Sequence, residues 1–298
     1  MQCSRCRKES VVFQEYSGLH LCDEHLLRDI GAKAKRTIRT RHWLEPRDHI
    51  AVALSGEAAS SAVLAFLGDL VGKRRDIRLS ALHAGIPGHA AQAASAEGVA
   101  GAMGVPFIRI SLQERPLQEM DGPGDSGCMA PGTGNDTYGG AARILPALLR
   151  YAREQGITKI ALGTVLEDRA EDVLNRILAG KILTLAGTGS SDDCSTPAII
   201  HPFLSIPKKE AARYAAYWFP GRDFPVTEAY RELFAADVKS LLDDYTGRHP
   251  STRYSLVHLA DRLGKVPVPG SCHSGESQAQ PADDAGSQAT REQGGHPW

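Results

Sequence analysis

Apolar positions between residues 48 and 263 fall into two alternating kinds of run. Short runs rich in β-branched residues occur at Ile50–Leu54, 78–83, 105–110, 159–163 and 199–206. Longer Ala/Leu-rich runs occur at 58–67, 90–103, 141–155, 169–179 and 208–218. A continuous apolar run of strand length suits a strand covered on both faces, and regular alternation with helical runs predicts a doubly wound parallel sheet, an α/β fold. Two further helices are expected at 229–244 and 255–263. Val11-Val12-Phe13 followed by Tyr16-Ser17-Gly18-Leu19 reads as a small hairpin ahead of the sheet. Residues 114–140 are dense in Gly, Pro, Asp and Ser and read as loop. From Val266 to Trp298 the chain has no core-forming run and is expected to be disordered. The division is then a knuckle at 1–27, a basic helix and linker at 28–47, an α/β domain at 48–220, a helical region at 221–265 and a tail at 266–298.

Composition narrows the class. With 298 residues, 42% hydrophobic and 23% charged, the chain can bury a sizeable core and is expected to be soluble. A net charge of −1 gives no global attraction to a polyanion, so any nucleic-acid contact has to be local. No stretch approaches the roughly 18 apolar residues of a membrane span, and the N-terminus has no signal-peptide apolar region. Six cysteines spread over this length do not form a disulfide framework, so a reducing, cytoplasmic setting is expected.

Cys3-x-x-Cys6 and Cys22-x-x-His25 carry the clearest chemical pattern. Two close-spaced pairs of thiolate and imidazole ligands suit one tetrahedral Zn²⁺, filled by four protein ligands and therefore structural. Arg28, Lys33, Lys35, Arg36, Arg39, Arg41 and Arg47 then face only Asp29 and Glu45 between residues 28 and 47. Such a run is either a solvated helix face or a phosphate-contacting RNA surface, with Arg36, Arg39 and Arg41 as the candidate contacts.

The run 50–54 feeds the helix at 58 through Ser55-Gly56-Glu57, a strand-to-helix turn that places backbone N–H groups and a positive helix end together. The stretch resembles the PP-loop of the ATP pyrophosphatase superfamily, Ser-Gly-Gly-x-Asp-Ser, matched by Ser55, Gly56 and Ser60. Gly85-Ile86-Pro87-Gly88 and Leu162-Gly163-Thr164-Val165-Leu166-Glu167-Asp168-Arg169-Ala170-Glu171 are similar to landmarks of that superfamily's tRNA 2-thiolation branch, as are the N-terminal knuckle and Thr37-Ile38-Arg39. The resemblance implies a Rossmann-like, adenine nucleotide alpha hydrolase-like fold. It assigns nucleotide contacts to Ser55, Gly56, Ser60, Ser61, His83, Gly163 and Asp168, and catalytic work to Cys128 and Asp168.

It also implies a chemistry. ATP adenylates the C2 oxygen of a tRNA uridine, and sulfur from a small carrier protein, handled by a cysteine-bound iron–sulfur cluster, displaces AMP. A homodimer is the family expectation. Several positions depart from the pattern. Glu57 replaces the second loop Gly, Ala59 replaces the Asp, and Thr164 stands where the family has His. The internal Cys-x-x-Cys falls on Thr137 and Gly140, with only Cys128 nearby, and Arg222-Asp223-Phe224-Pro225 lacks the third cysteine. A second zinc site has only Cys272-His273 as a remnant, and Cys194 reads as a loop thiol. On this spacing an iron–sulfur cluster is not expected, and Mg-ATP is a ligand that the loop departures argue against. Three readings follow: a diverged thiolation enzyme with impaired or lost catalysis, a non-catalytic tRNA- or partner-binding member, and an adenylating enzyme for a small molecule.

Overall fold

The computed structural model describes residues 1–72, 74–85, 88–112, 141–182, 196–225 and 233–263. The expected loop with Cys128, Thr137 and Gly140, the centre of the 85–88 turn, Cys194, and the tail with Cys272 and His273 lie outside these residues.

Five strands, β3 (His49–Ala53), β4 (Arg78–Gly85), β5 (Phe107–Ser111), β6 (Lys159–Ala161) and β7 (Ala198–Ile200), form a parallel sheet in the order β5-β4-β3-β6-β7. Alternate residues explain why β3 reads as continuously apolar. Ile50 and Val52 enter the core on one face, while Ala51 meets the other face with Leu82, Leu148 and Ile160. The second face is covered by α4 (Ala141–Glu154). The first is covered by α2 (Ala58–Val71), which is buried from Ser60 through Leu67 because it lies between the sheet and α6 (Lys208–Trp218). Each fully buried Leu or Phe in α2 stabilises the fold by roughly 1.5–3 kcal/mol. α3 (Ala90–Met103) joins β4 to β5 and ends on Gly104 in the left-handed region.

α5 (Leu166–Leu178) begins three residues before the expected Arg169, because Asp168 accepts the Val165 N–H and caps the first turn. The expected strand 199–206 is shorter: β7 ends at Ile200, and turns follow. Two C-terminal helices, α7 (Leu233–Arg248) and α8 (Thr252–Leu263), pack on α5. At the other end of the chain, β1 (Val12–Gln14) and β2 (Leu19–Leu21) form an antiparallel hairpin. α1 (Asp23–Thr40) follows directly and runs unbroken past residue 27. Its buried stripe, Leu26, Ile30, Ala34 and Ile38, joins Cys3, Leu21 and Cys22 to the α2 core as one apolar cluster. Among the described residues no helix is long and apolar enough to cross a membrane.

A buried ion pair fixes the strand entrances. Lys159 at the start of β6 donates to both oxygens of Asp48, at 2.9 and 2.7 Å. Asp48 also accepts from Thr158 Oγ1 at 2.8 Å and from the Glu45 backbone at 2.7 Å. Removing one partner strands a buried charge, so Asp48→Ala should cost about 3–5 kcal/mol in urea unfolding. A loss below about 1 kcal/mol would show that water reaches the pair.

Candidate metal centre and phosphate loop

The turn ahead of β1 brings Cys3 and Cys6, and the N-cap and first turn of α1 bring Cys22 and His25, so that their four ligand atoms lie within 4.8 Å of one another. The sulfurs of Cys6 and Cys22 are 3.7 Å apart, and His25 Nδ1 is 3.6 Å from Cys3 Sγ and 3.3 Å from Cys22 Sγ. A tetrahedral zinc with ordinary bond lengths has S–S edges of about 3.8 Å and S–N edges of about 3.5 Å. The arrangement therefore fits one ion. Burial alone would raise the Cys3 thiol, but the backbone N–H groups of Arg5, Cys22 and Cys6 outweigh it and bring the thiol down to about 6. Cys6 moves the other way: against the Lys8 backbone N–H, burial and the Cys22 and Cys3 thiols raise it, so the close sulfurs favour one thiolate over two.

A polar network fastens this unit to the body. Gln14 donates to Asp29 at 3.0 Å, and Lys33 pairs with Asp29 at 2.6 Å. Lys33 also donates to Tyr16 Oη at 2.5 Å, and Tyr16 in turn donates to Glu210 Oε1 of α6 at 2.8 Å. Sequence reading missed this network, whose members are up to 194 positions apart. It also redistributes the basic run. Lys33 is absorbed into the network, and Arg28 pairs with Glu24. Arg41 pairs with Asp261 of α8 at 2.5 Å and lies over the Trp43 ring. Lys35, Arg36 and Arg39 remain exposed on α1.

The phosphate-loop residues gather at the carboxyl ends of the central strands. Strand order reverses between β3 and β6, with β4 and β5 on one side and β7 on the other, the position where open α/β sheets hold ligands. Ser55 and Gly56 leave β3 there, Glu57 is the N-cap of α2, and Gly163 leaves β6 beside them. Gly56 has φ +90°, and a Cβ on it would stand 2.2 Å from the Gln92 carbonyl oxygen of α3. A Cβ on Gly163 would stand 2.7 Å from Ser60 N and Cα. Both positions require glycine because backbone meets backbone.

The loop's hydroxyls turn inward. Ser60 Oγ accepts the Ser55 N–H at 3.2 Å and lies 3.0 Å from Ser55 Oγ, which accepts the Glu57 N–H at 3.3 Å. Ser61 Oγ donates to the Glu57 carbonyl at 2.9 Å, and Ser95 Oγ of α3 donates to the Gly56 carbonyl at 2.8 Å. The Ser95 contact had no signal in an Ala-rich helix. His83, at the end of β4 and 3% exposed, donates from Nδ1 to the Leu54 carbonyl at 2.7 Å. Its Nε2 has no hydrogen-bond partner among the described residues. Ser55, Gly56, Ser60, Ser61, His83 and Gly163 are thus brought together. Asp168 sits in the α5 cap and lines a cavity of about 460 Å³ with Lys208, Lys239 and Arg253. At Thr164, Oγ1 is 3.0 Å from Nδ1 of His201, which follows β7, so an imidazole from the neighbouring strand meets the position. Desolvation, then the Arg169 and Arg41 charges, holds His201 down to about 4 and hence neutral at pH 7.

Comparison with known proteins agrees with this architecture. The fold matches the U34-tRNA thiolase NcsA of Methanococcus maripaludis, solved with its [4Fe-4S] cluster, with a TM-score of 0.71 at 22% identity over 90% of this chain and 88% of that one. That structure corrects the expectation that an iron–sulfur cluster has no place here, because a thiolase of the same fold carries one. Cluster thiolates converge from separate parts of a fold, so a missing Cys-x-x-Cys spacing does not decide the matter. Residues 2–27 match the family model for the N-terminal LIM domain of the 2-thiouridine synthetase TtuA. The tRNA 2-thiolation protein NcsA of Haloferax volcanii is 26% identical over 89% of this chain and 88% of its own length. The tRNA-cytidine(32) 2-sulfurtransferase of Sorangium cellulosum is 30% identical over 78% of this chain and 80% of its own. With the knuckle, the loop and the sheet in that order, the chain belongs to the tRNA 2-thiolation family of PP-loop proteins.

Proposed function

We propose that this protein binds tRNA in the cytoplasm and is a diverged member of its family, in which the phosphate loop has lost most of its hold on ATP. The observation that carries the reading is the use of the loop's donors. The Ser55 and Glu57 N–H groups are both spent on serine hydroxyls within the loop. Glu57 also adds a carboxylate at the entrance to α2, where an incoming phosphate meets like charge. Ala59 cannot supply the carboxylate that the family's Asp provides. The relatives' role as tRNA thiolases makes tRNA the substrate class, and the exposed cations of α1 supply local positive charge that the net charge of −1 does not. Zinc at Cys3, Cys6, Cys22 and His25 holds the hairpin on α1 as a structural ion.

A second reading, a working thiolase, is favoured by the intact backbone of the loop, where Gly56 and Gly163 keep their close approaches. In that case the α2 N-terminus and loop N–H groups receive the phosphates as the uridine C2 oxygen attacks the α-phosphate and pyrophosphate leaves. Sulfur from a carrier protein then displaces AMP. Asp168 and Cys128 are the candidate catalytic groups, and a dimer is the family's assembly. The iron–sulfur cluster of the solved thiolase enters as a candidate cofactor. The thiols outside the N-terminal set are Cys128, Cys194 and Cys272, all beyond the described residues.

Metal analysis should give close to one zinc per chain, and Cys6→Ser should lose it; unchanged zinc in that variant removes the assignment. For RNA, log affinity for tRNA should fall with log salt, and Arg36→Ala with Arg39→Ala should shallow that slope by roughly one to two. Arg41→Ala should act on stability as well, by less than about 1 kcal/mol because its ion pair is half-exposed. Salt-insensitive tRNA binding would return α1 to a solvated face. At the loop, Glu57→Gly with Ala59→Asp should strengthen Mg-ATP binding at least tenfold by isothermal titration. An unchanged or weaker affinity would sink the electrostatic explanation.

A further inference from the structure

The hairpin ahead of α1 turns an aromatic ring to solvent. Side chains alternate along β1, so Val12 and Gln14 are buried while Phe13 points outward and is 46% exposed. Phe13 is the register partner of His20 on β2, and the two rings stack, with centroids 4.6 Å apart and planes at 28°. A cross-strand pair of this kind stabilises a hairpin. That role does not account for a phenylalanine left with nearly half its surface open.

The Cys3–Cys6 turn lies beside the stack. Ser4 N donates to the His20 carbonyl at 2.7 Å, and Ser4 Oγ accepts the His20 N–H at 3.0 Å. Arg5 therefore begins one residue from the stacked pair, and Arg7 follows Cys6. Both are exposed, and among the described residues neither side chain has a hydrogen-bond or ion-pair partner. Lys8, by contrast, is tied to Glu24 at 2.8 Å. Residues 1–14 hold these three cations against Glu9 alone.

An open ring beside unpaired arginines selects among partners. A neutral apolar partner would cover Phe13 and leave the guanidinium groups unanswered. A single-stranded stretch of nucleic acid answers both, since each base brings a π-face and each linkage a phosphate. The hairpin is also continuous with α1, whose exposed Lys35 and Arg36 lie roughly 20 Å along the helix from its start. That separation is about six nucleotides of one strand at roughly 3.4 Å each, so one RNA can engage both groups of cations.

We propose that the outer face of the hairpin is an RNA-contact surface, on which an unstacked base lies against Phe13 and His20 while Arg5 and Arg7 meet the adjoining phosphates. The proposal rests on the tRNA-binding reading and involves neither the phosphate loop nor catalysis. The test measures the tRNA affinity of full-length, zinc-loaded protein across a salt series. Phe13→Ala should weaken binding about fivefold or more and leave the slope of log affinity against log salt unchanged, because stacking releases no counterions. Phe13→Tyr keeps an aromatic face and should bind within about twofold of the natural protein. Arg5→Gln with Arg7→Gln should instead shallow the slope by roughly one to two. Should Phe13→Ala lose its zinc, the arginine pair decides the matter alone. Natural tRNA affinity in Phe13→Ala, or an unchanged slope in the arginine pair, overturns the surface and leaves RNA binding through α1 standing. Loss of a self-associated species from Phe13→Ala at natural tRNA affinity also overturns it and assigns the face to a protein contact. No tRNA binding by the natural protein would sink the RNA reading itself, and this surface with it.

Discussion

The site depends on how closely the first turn of α2 is seated. Gly56 lets the loop pass against the Gln92 backbone, and Gly163 lets the end of β6 lie on Ser60. Neither approach tolerates a Cβ, so α2 has one seat, fixed from α3 on one side and β6 on the other. Its buried length between sheet and α6 then determines where the helix N-terminus points. The strand ends at β3, β4 and β6 inherit their positions from that seat, and with them Ser55, His83 and Thr164. An anion-binding frame persists even where side chains have changed, because backbone contacts hold it and Glu57 and Ala59 do not.

This explains which parts were legible in the sequence. Strand β3, the turn at Ser55-Gly56 and α2 read correctly because composition and breakers are local signals. The Cys/His pairs do come together as their local spacing implies, with separations of 3.3–3.7 Å that would suit a single tetrahedral ion. Features made across the chain did not read. Nothing near Tyr16 announces Glu210, and nothing near Asp48 announces Lys159, although these pairs join the hairpin to α6 and β3 to β6. The run at 28–47 looked uniformly basic, yet Lys33 and Arg41 are tied to distant carboxylates, while Lys35, Arg36 and Arg39 stay exposed along α1. Cysteine spacing was pressed too far in the case of the cluster, since convergence in three dimensions does not require proximity in sequence.

The metal unit, the basic helix and the α/β core form one physical body. α1 supplies two metal ligands' worth of backbone at its start, a buried stripe along its middle and exposed cations near its end. The Cys/His unit is therefore continuous with the helix that carries the exposed Lys35, Arg36 and Arg39. The exposed cations of α1 thus depend on how the Cys/His unit seats that helix, whereas the loop after β3 depends on α2 and its glycines.

The most direct measurement is pyrophosphate release on mixing the natural protein with ATP, Mg²⁺ and tRNA, alongside tRNA affinity under the same conditions. A tRNA-binding protein with a weakened phosphate loop predicts saturable tRNA binding and no pyrophosphate above background. Tight Mg-ATP binding with tRNA-dependent pyrophosphate release would contradict it and establish a working adenylating enzyme.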